Sequence, residues 1–240
     1  MPGPVASAVQ PPEETFCLDC GPDAALERHG GAGNAMLRCP RCGAGQRIPA
    51  LPLFLVTGAS GSGKTTIIGQ LRSRLPECDV FEVDATLQVA ALGWEVWRNT
   101  WLRVVHEVAR NGRVSVLCGS LQPDQLEDLP ARRLIGPVHC CALDCPDAVR
   151  ASRLRVRPAW RGTSTEEAIA RHQGYAAWLR ANIDPCFDTS LLTPGEVAAQ
   201  VATWVRQQME VPVVVLRGLE DHVEVPFEEL PVRPVDPSVR

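Results

Sequence analysis

The sequence predicts an α/β protein in which a parallel sheet is flanked by helices, with a small cysteine-rich domain in front of it. Two observations predict this arrangement. Short β-branched or apolar runs alternate with amphipathic stretches over residues 51–210, and two C-x-x-C pairs lie in the Gly-rich segment before them. The chain has 240 residues, 22% charged and 45% hydrophobic, which is typical of a globular protein with one good core and a small annex.

The N-terminal cysteines have the spacing of a zinc ribbon. Cys17 and Cys20 form one C-x-x-C pair, and Cys39 and Cys42 form a second one, with eighteen residues between the pairs. Four thiolates close the coordination sphere of Zn²⁺, so we expect a structural ion whose binding is coupled to folding by roughly 10 to 16 kcal/mol. A redox dithiol pair and unligated thiols are the alternatives. The sequence therefore predicts a zinc-ribbon domain over residues 15–48.

The segments outside the two domains are rich in proline. Residues 1–14 are expected to be a flexible N-terminus, and residues 211–240 to form a strand followed by a Pro-rich tail. The first fourteen residues have neither a basic start nor an apolar run, so they do not resemble a signal peptide. No apolar run approaches the ~20 residues that a membrane helix needs. We therefore expect a cytoplasmic protein with no membrane partner.

The charge balance gives little support to nucleic-acid binding. The net charge is −4 and the isoelectric point is near 5.8, so a nucleic-acid contact would need a local patch. Arg38, Arg41 and Arg47 give the ribbon a slight basic edge, which its acidic residues offset. Contact with nucleic acid through the ribbon stays open. We favour a structural or oligomer-forming role for it, such as a homodimer.

The runs LFLVT, VFEV, VSVLC and VHCCAL are expected to be buried parallel strands. WEVWRNTWLRVVHEVAR has helical spacing and is followed by Asn111 and Gly112, a plausible end signal. Two further helices are expected to start at capping boxes, one with Ser164 and Glu167 and one with Thr193 and Glu196.

GASGSGKTT, which follows the first of these strands and precedes a helical pattern, matches a phosphate-binding P-loop in both spelling and context. The expected nucleotide-binding residues are Gly58, Ala59, Ser60, Gly61, Ser62, Gly63, Lys64, Thr65 and Thr66. Lys64 is the one lysine beside twenty-three arginines, which we attribute to a phosphate site that accepts an ammonium and not a planar guanidinium. Thr65 would bind magnesium. The fold is therefore predicted to be a P-loop NTPase-type sheet that binds ATP and Mg²⁺.

Asp84 at the end of VFEVD is a candidate catalytic base, because ligands bind at the carboxyl edge of such sheets. A helix-capping aspartate or a magnesium ligand are the alternatives. The third strand offers Cys118, Gly119 and Ser120 in place of the metal-binding acid of many P-loop ATPases. This departure argues against a motor-type ATPase, and no guanine-reading motif is present, so a small kinase is favoured.

The segment RASRLRVRPAWRG contains five arginines, which are expected to form a lid over ATP. Arg153 and Arg157, one helical turn apart, are the candidate catalytic cations, and a solvated basic helix face is the alternative. The segment GWEVWRNTWL has tryptophans at helical spacing, which we assign to core packing. Glu95 and Arg98 lie between these tryptophans and are candidate contacts for the acceptor substrate.

The P-loop, FEVDATL, the arginine-rich segment and FDTSLLTPGEVAAQVATWV together resemble the small-molecule kinases of the P-loop superfamily. The resemblance covers about residues 52–208 and is to chloramphenicol phosphotransferase and nucleoside or nucleoside-monophosphate kinase-like proteins. It implies that Asp84 is the catalytic base and that Asp188 and Thr189 border the adenine site. The missing acid after VSVL departs from the pattern.

The sequence thus predicts an ATP-dependent kinase that phosphorylates a hydroxyl of a small molecule, such as a nucleoside or an antibiotic-like alcohol. A regulatory adaptor that docks a protein or RNA through its ribbon is the alternative. A polynucleotide 5′-kinase would need a basic groove that the net charge does not indicate.

Overall fold

The computed structural model describes residues 16–31 and 35–210. The predictions for residues 1–14 and 211–240 lie outside this range. Within it, no helix combines the length and the apolar character needed to cross a membrane.

A five-stranded parallel sheet forms the centre of the larger domain. Its strands are β6 (Leu53–Thr57), β7 (Cys78–Glu82), β8 (Val114–Cys118), β9 (Val138–Asp144) and β10 (Cys186–Asp188). They lie in the order β10-β9-β6-β8-β7, so β6 is central and the loop that follows it emerges in the middle of the carboxyl edge. This edge is where an open parallel sheet binds its ligands.

Six α-helices connect or flank the strands of the described region. They are α1 (Lys64–Arg74), α2 (Trp94–Arg110), α3 (Asp124–Glu127), α4 (Asp147–Arg155), α5 (Glu166–Asn182) and α6 (Pro194–Glu210). Short 3₁₀ segments cover Val83–Leu92, Pro130–Leu134 and Ala159–Arg161.

The N-terminal segment forms two small antiparallel sheets. One pairs β1 (Phe16–Cys17) with β2 (Gly21–Ala25), and the other contains β3 (Glu27–His29), β4 (Met36–Arg38) and β5 (Gly45–Arg47). The small sheets bring the two C-x-x-C pairs together.

Most predicted elements are confirmed by the structure. The four predicted strands correspond to β6 to β9, and α2 ends at Arg110 before the predicted stop signal. Thr193 and Glu196 form the expected capping box, in which each backbone N–H donates to the other side chain, at 2.8 and 3.3 Å. The predicted cap of α5 is wrong by one residue, because Thr165 and not Ser164 accepts the hydrogen bond from the backbone of the helix.

The ribbon shares its hydrophobic core with one face of the central sheet. Leu37 and Cys39 from the ribbon pack in the same buried cluster as Leu53 of β6, Leu102 of α2 and Leu134. A second cluster on the opposite face holds α1 and α6 against the sheet. The ribbon is therefore packed as part of the larger fold.

Hydrogen bonds join the ribbon to the segment before β9. Arg133 donates to the carbonyl oxygen of Leu26 at 2.7 Å, and Arg28 donates to the carbonyl oxygens of Arg133 and Ile135. These contacts fix the orientation of the ribbon on the sheet.

Candidate active site

The P-loop lies between β6 and α1, at the centre of the carboxyl edge. Gly61 and Gly63 have φ angles of 86° and 94°, which residues with a side chain rarely adopt. Gly63 is the N-cap of α1 and no side chain caps this end. The first backbone N–H groups of α1 are thus available for an anion at the positive end of the helix dipole.

Lys64 points into the P-loop. Its ammonium donates to the carbonyl oxygens of Gly58 at 2.5 Å and Ala59 at 3.1 Å, and it has no carboxylate partner at ion-pair distance among the described residues. Burial lowers the pKa of Lys64 to about 8, against a smaller opposite effect of the nearby Asp84 carboxylate. A phosphate group in the loop would supply the missing negative charge, so the residues present fit a nucleotide.

Glu82 supplies an acid next to the expected magnesium residue. The hydroxyl of Thr65 donates to a carboxylate oxygen of Glu82 at 2.5 Å. A hydroxyl and a carboxylate are oxygen ligands of the kind that Mg²⁺ takes, directly or through water. This acid lies at the end of β7, whereas the sequence pattern of P-loop ATPases led us to expect one after β8. Glu82 is the last residue of β7, two positions before Asp84, which lies in the following 3₁₀ segment.

Asp84 lies beside the end of β8. A side chain at Gly119 would collide with Val83, and the Oδ1 atom of Asp84 is 3.7 Å from the position that a Cβ of Gly119 would take. The pKa of Asp84 is raised by burial and by the nearby Glu82, although the charge of Lys64 opposes this. A raised pKa makes a carboxylate a better proton acceptor, so the environment suits a general base.

A cavity of about 400 Å³, here called the acceptor cavity, opens in front of Asp84. Its walls come from the P-loop, the 3₁₀ segment Val83–Leu92, α2, the loop after β8 and α5. The residues are Ser60, Lys64, Asp84, Leu87, Trp94, Trp97, Arg98, Ser120 and His172. Of the two candidate acceptor contacts, Arg98 lines this cavity, whereas Glu95 is exposed and does not line it. Trp97 and Trp94, assigned to packing from the sequence, form part of the wall.

His172 faces the acceptor cavity from α5. Burial and the neighbouring cations, Lys64 and Arg150 foremost, lower the pKa of His172 below its usual value of 6.5. The imidazole is therefore neutral at pH 7 and can exchange hydrogen bonds with a ligand without adding charge.

A second cavity of about 460 Å³, the nucleotide cavity, opens on the other side of the P-loop. The P-loop contributes Gly61, Gly63 and Thr66, and the wall is completed by Ile67, Arg153, Arg157, Thr189, Ser190, Leu192, Pro194 and Val197. Thr189 thus borders this cavity. The carboxylate of Asp188 instead accepts hydrogen bonds from the backbone and hydroxyl of Ser190, both at 2.6 Å, and lines a neighbouring cavity.

Arg153 and Arg157 both contact the P-loop. Arg153 donates to the carbonyl oxygen of Gly61 at 3.1 Å and to Thr189 at 2.8 and 3.0 Å. Arg157 donates to the hydroxyl of Ser60 at 2.7 Å. Arg153 thus links the P-loop to the loop after β10, whereas Arg157 contacts the P-loop, and both line the same cavity.

The expected lid does not include all of the arginines in this segment. Arg150 is fully buried, donates to the backbone carbonyl of Ser60 at 3.0 Å and forms an ion pair with Asp144. Arg155 is exposed and pairs with Glu166 at 2.8 Å. Arg150 is thus a structural anchor of the P-loop, because α4 turns it inward and not toward solvent. Its partner Asp144 was not predicted, since an acid at a strand end does not indicate which cation of the chain it binds.

The four ribbon cysteines form a compact cluster. Their sulfur atoms lie within 4.8 Å of one another, and the sulfur atoms of Cys17 and Cys42 are 3.6 Å apart. Tetrahedral zinc with Zn–S distances of about 2.3 Å places sulfur atoms about 3.8 Å apart, so the cluster fits zinc. Hydrogen bonds from the backbone of Cys42 and Arg41 lower the pKa of Cys39 to about 7, whereas the neighbouring Cys42 thiol raises the pKa of Cys20 to about 12.

The comparisons with known proteins support the fold. No protein family matches the sequence, and no curated protein matches it significantly. The structure is similar to that of the tunicamycin resistance protein of Deinococcus radiodurans, with a TM-score of 0.50 and 23% identity over 65% of this chain and 95% of that one. The predicted fold class is confirmed.

Two further solved structures have lower scores. A sugar kinase from Janibacter sp. HTCC2649 gives a TM-score of 0.47 with 21% identity, over 65% of this chain and 95% of that one. The shikimate kinase from Bacteroides thetaiotaomicron gives a TM-score of 0.44 with 20% identity, over 67% of this chain and 99% of that one.

Proposed function

We propose that the protein is an ATP-dependent phosphotransferase that moves the γ-phosphoryl group of ATP to a hydroxyl of a small molecule. The observation that carries this proposal is the pair of cavities on the two sides of the P-loop. One is lined by Gly61, Gly63 and Thr66, and the other by Lys64 and Asp84. A nucleotide held in the first cavity by the loop would present its terminal phosphate toward the second.

The residues of the acceptor cavity have complementary roles in this reaction. Asp84 accepts the proton of the acceptor hydroxyl as its oxygen forms a bond to the γ-phosphorus. The bond from that phosphorus to the β,γ-bridging oxygen breaks at the same time, and ADP leaves with the electron pair. Lys64 stabilises the charge on the transferring group, and Arg157 holds Ser60 at the same end of the loop.

Thr65 and Glu82 are the residues that would hold Mg²⁺. When bound, the ion neutralises charge on the phosphates of the nucleotide. Thr189 and Arg153 would border the adenosine part of the nucleotide in their cavity, with Asp188 fixing the turn.

We assign zinc in the ribbon a structural role. Leu37 and Cys39 are buried in the same cluster as Leu53 of the sheet, so the ribbon supports the larger domain. We retain residues 15–48 and 51–210 as the two domains, and the cytoplasm as the expected location.

The test compares wild-type protein with Asp84→Asn, which keeps the shape of the side chain but cannot accept the proton. Both are incubated with γ-labelled ATP, Mg²⁺ and a metabolite extract. We expect the rate of transfer to fall by about 100-fold or more, the usual contribution of a general base, while the Kd for ATP changes little.

Asp128→Asn is the matched control, because Asp128 is exposed and lies outside both cavities. It should transfer phosphate at the wild-type rate. Undiminished transfer by Asp84→Asn would show that Asp84 is not the base.

A further inference from the structure

The acceptor cavity has an excess of positive charge. Asp84 is the one carboxylate among its lining residues, whereas Lys64 and Arg98 are both cationic and His172 is neutral at pH 7. The ammonium of Lys64 lies within the P-loop, where it donates to the carbonyl oxygen of Gly58. Arg98 comes from α2, a separate element of the wall, so its charge is left for another ligand group.

Arg98 has no anionic partner within the part of the chain that the structure describes. Its Nε atom is buried and makes no hydrogen bond there, and its guanidinium lies 6.0 Å from the ring centre of Trp94. Other described arginines are paired, such as Arg110 with Glu107 and Arg113 with Asp79. The terminal N–H groups of Arg98 are not buried and make no hydrogen bond to the described residues, so an oxyanion delivered by a ligand would pair with this guanidinium.

The wall beside Arg98 is apolar and aromatic. Trp94 and Trp97 pack edge to face at 5.7 Å, and the indole N–H of Trp97 donates to the hydroxyl of Thr86 at 3.0 Å, which fixes its ring. Trp94 is 56% exposed and Leu87 is 42% exposed at the cavity. Large apolar side chains left open beside a cavity are the usual surface for the flat or ring-shaped body of a ligand.

We propose that the acceptor is a hydroxy acid: a ring-bearing small molecule whose carboxylate binds Arg98, whose body packs on Trp94 and Trp97, and whose hydroxyl faces Asp84. This inference deepens the proposed function and rests on it. A carboxylate matches the planar fork of one guanidinium, whereas a phosphate monoester usually has several donors. The volume of about 400 Å³ admits one small molecule beside the terminal phosphate of ATP.

The test uses a metabolite extract that an anion-exchange resin has separated into a retained, anionic fraction and an unretained fraction. Each fraction is incubated with γ-labelled ATP, Mg²⁺ and the full-length protein. A sample of the retained fraction is first treated with phosphatase, which is then removed, so that phosphate monoesters are lost and carboxylates remain.

We expect a labelled product from the retained fraction, unchanged by the phosphatase treatment. With the purified acceptor, Arg98→Gln should raise the KM for the acceptor at least tenfold and leave the KM for ATP unchanged. Arg98→Lys should recover part of the loss, since it keeps the charge but not the fork. Arg110→Gln on the same helix, whose side chain is exposed and paired with Glu107, is the control and should behave as wild type.

Three results would overturn the inference while leaving the proposed function intact. They are a product from the unretained fraction, a product lost after phosphatase treatment, or an acceptor KM that does not respond to Arg98→Gln. The absence of label in every fraction would instead contradict the proposed function, and the hydroxy-acid assignment would fall with it.

Discussion

Arg150→Met removes the buried cation that anchors the P-loop to β9. The Arg150 side chain is 0% exposed and that of its partner Asp144 is 9% exposed. The guanidinium also donates to the carbonyl oxygens of Ser60 at 3.0 Å and Cys145 at 3.4 Å. Methionine fills a similar volume but makes none of these bonds, so the carboxylate of Asp144 would keep only Arg180, at 2.7 Å.

The expected loss of stability follows from the burial of this pair. Removing one partner of a buried ion pair typically costs about 3 to 5 kcal/mol, because the other charge is left in a poorly solvated site. The remaining contact with Arg180 places this variant near the lower end, about 3 kcal/mol. For a domain of this size, the fall in Tm should be about 6 to 12 °C.

Urea unfolding of the zinc-loaded protein measures this difference. Arg155→Met is a matched control, since it changes the same residue type on the same helix but breaks the exposed pair with Glu166. Exposed pairs contribute about 1 kcal/mol or less. A double variant with Asp144→Asn should recover part of the loss, because no buried carboxylate remains. If Arg150→Met unfolds at the same urea concentration as Arg155→Met, the anchoring role is wrong.

Two further predictions concern the metal and the pH dependence. Purified protein should contain one zinc per chain, and Cys39→Ser should lower the Tm of the whole chain by about 5 °C or more, because the ribbon shares the sheet core. Cys186→Ser, at an exposed thiol outside the cluster, should change neither, and an equal zinc content in both variants would contradict the site. The kcat/KM for ATP should fall as the pH rises through about 8, where Lys64 loses its proton. Transfer should also fall in acid, at a pH above the usual aspartate value of 3.8, as Asp84 becomes protonated. In the Asp84→Asn variant, the residual transfer activity should no longer fall in acid but should still fall above about pH 8. If the fall in acid is unchanged in this variant, protonation of Asp84 is not its cause.

The parts of the fold that the sequence predicts are those with a local signal. The P-loop has a fixed spelling between a strand and a helix, and α2 has a strong apolar period with a stop at Asn111. The strand β10 was not predicted, because three residues paired only with β9 carry no periodicity of their own. The shared core of ribbon and sheet was also missed, since which apolar faces meet depends on contacts between distant segments.

In the candidate site too, the residues with a local sequence signal could be predicted, and the contacts between distant residues could not. Asp84 and Arg98 could be proposed from their place after a strand and on an amphipathic helix, and both line the acceptor cavity. The contact between Thr65 and Glu82 joins residues seventeen positions apart, and the search for an acid at the expected strand overlooked it. Arg150, unlike Arg155 of the same helix, is buried and paired with Asp144. This difference depends on which face of α4 packs inward, and the composition of the segment does not reveal it.

The central claim is that phosphate leaves ATP for an organic hydroxyl and not for water. The most direct measurement follows γ-labelled ATP with the wild-type protein, Mg²⁺ and a metabolite extract, and separates labelled phosphoester from inorganic phosphate over time. The account predicts that label accumulates in one phosphoester faster than in inorganic phosphate. Label found in inorganic phosphate alone, or retained in ATP that is bound but not consumed, would contradict it.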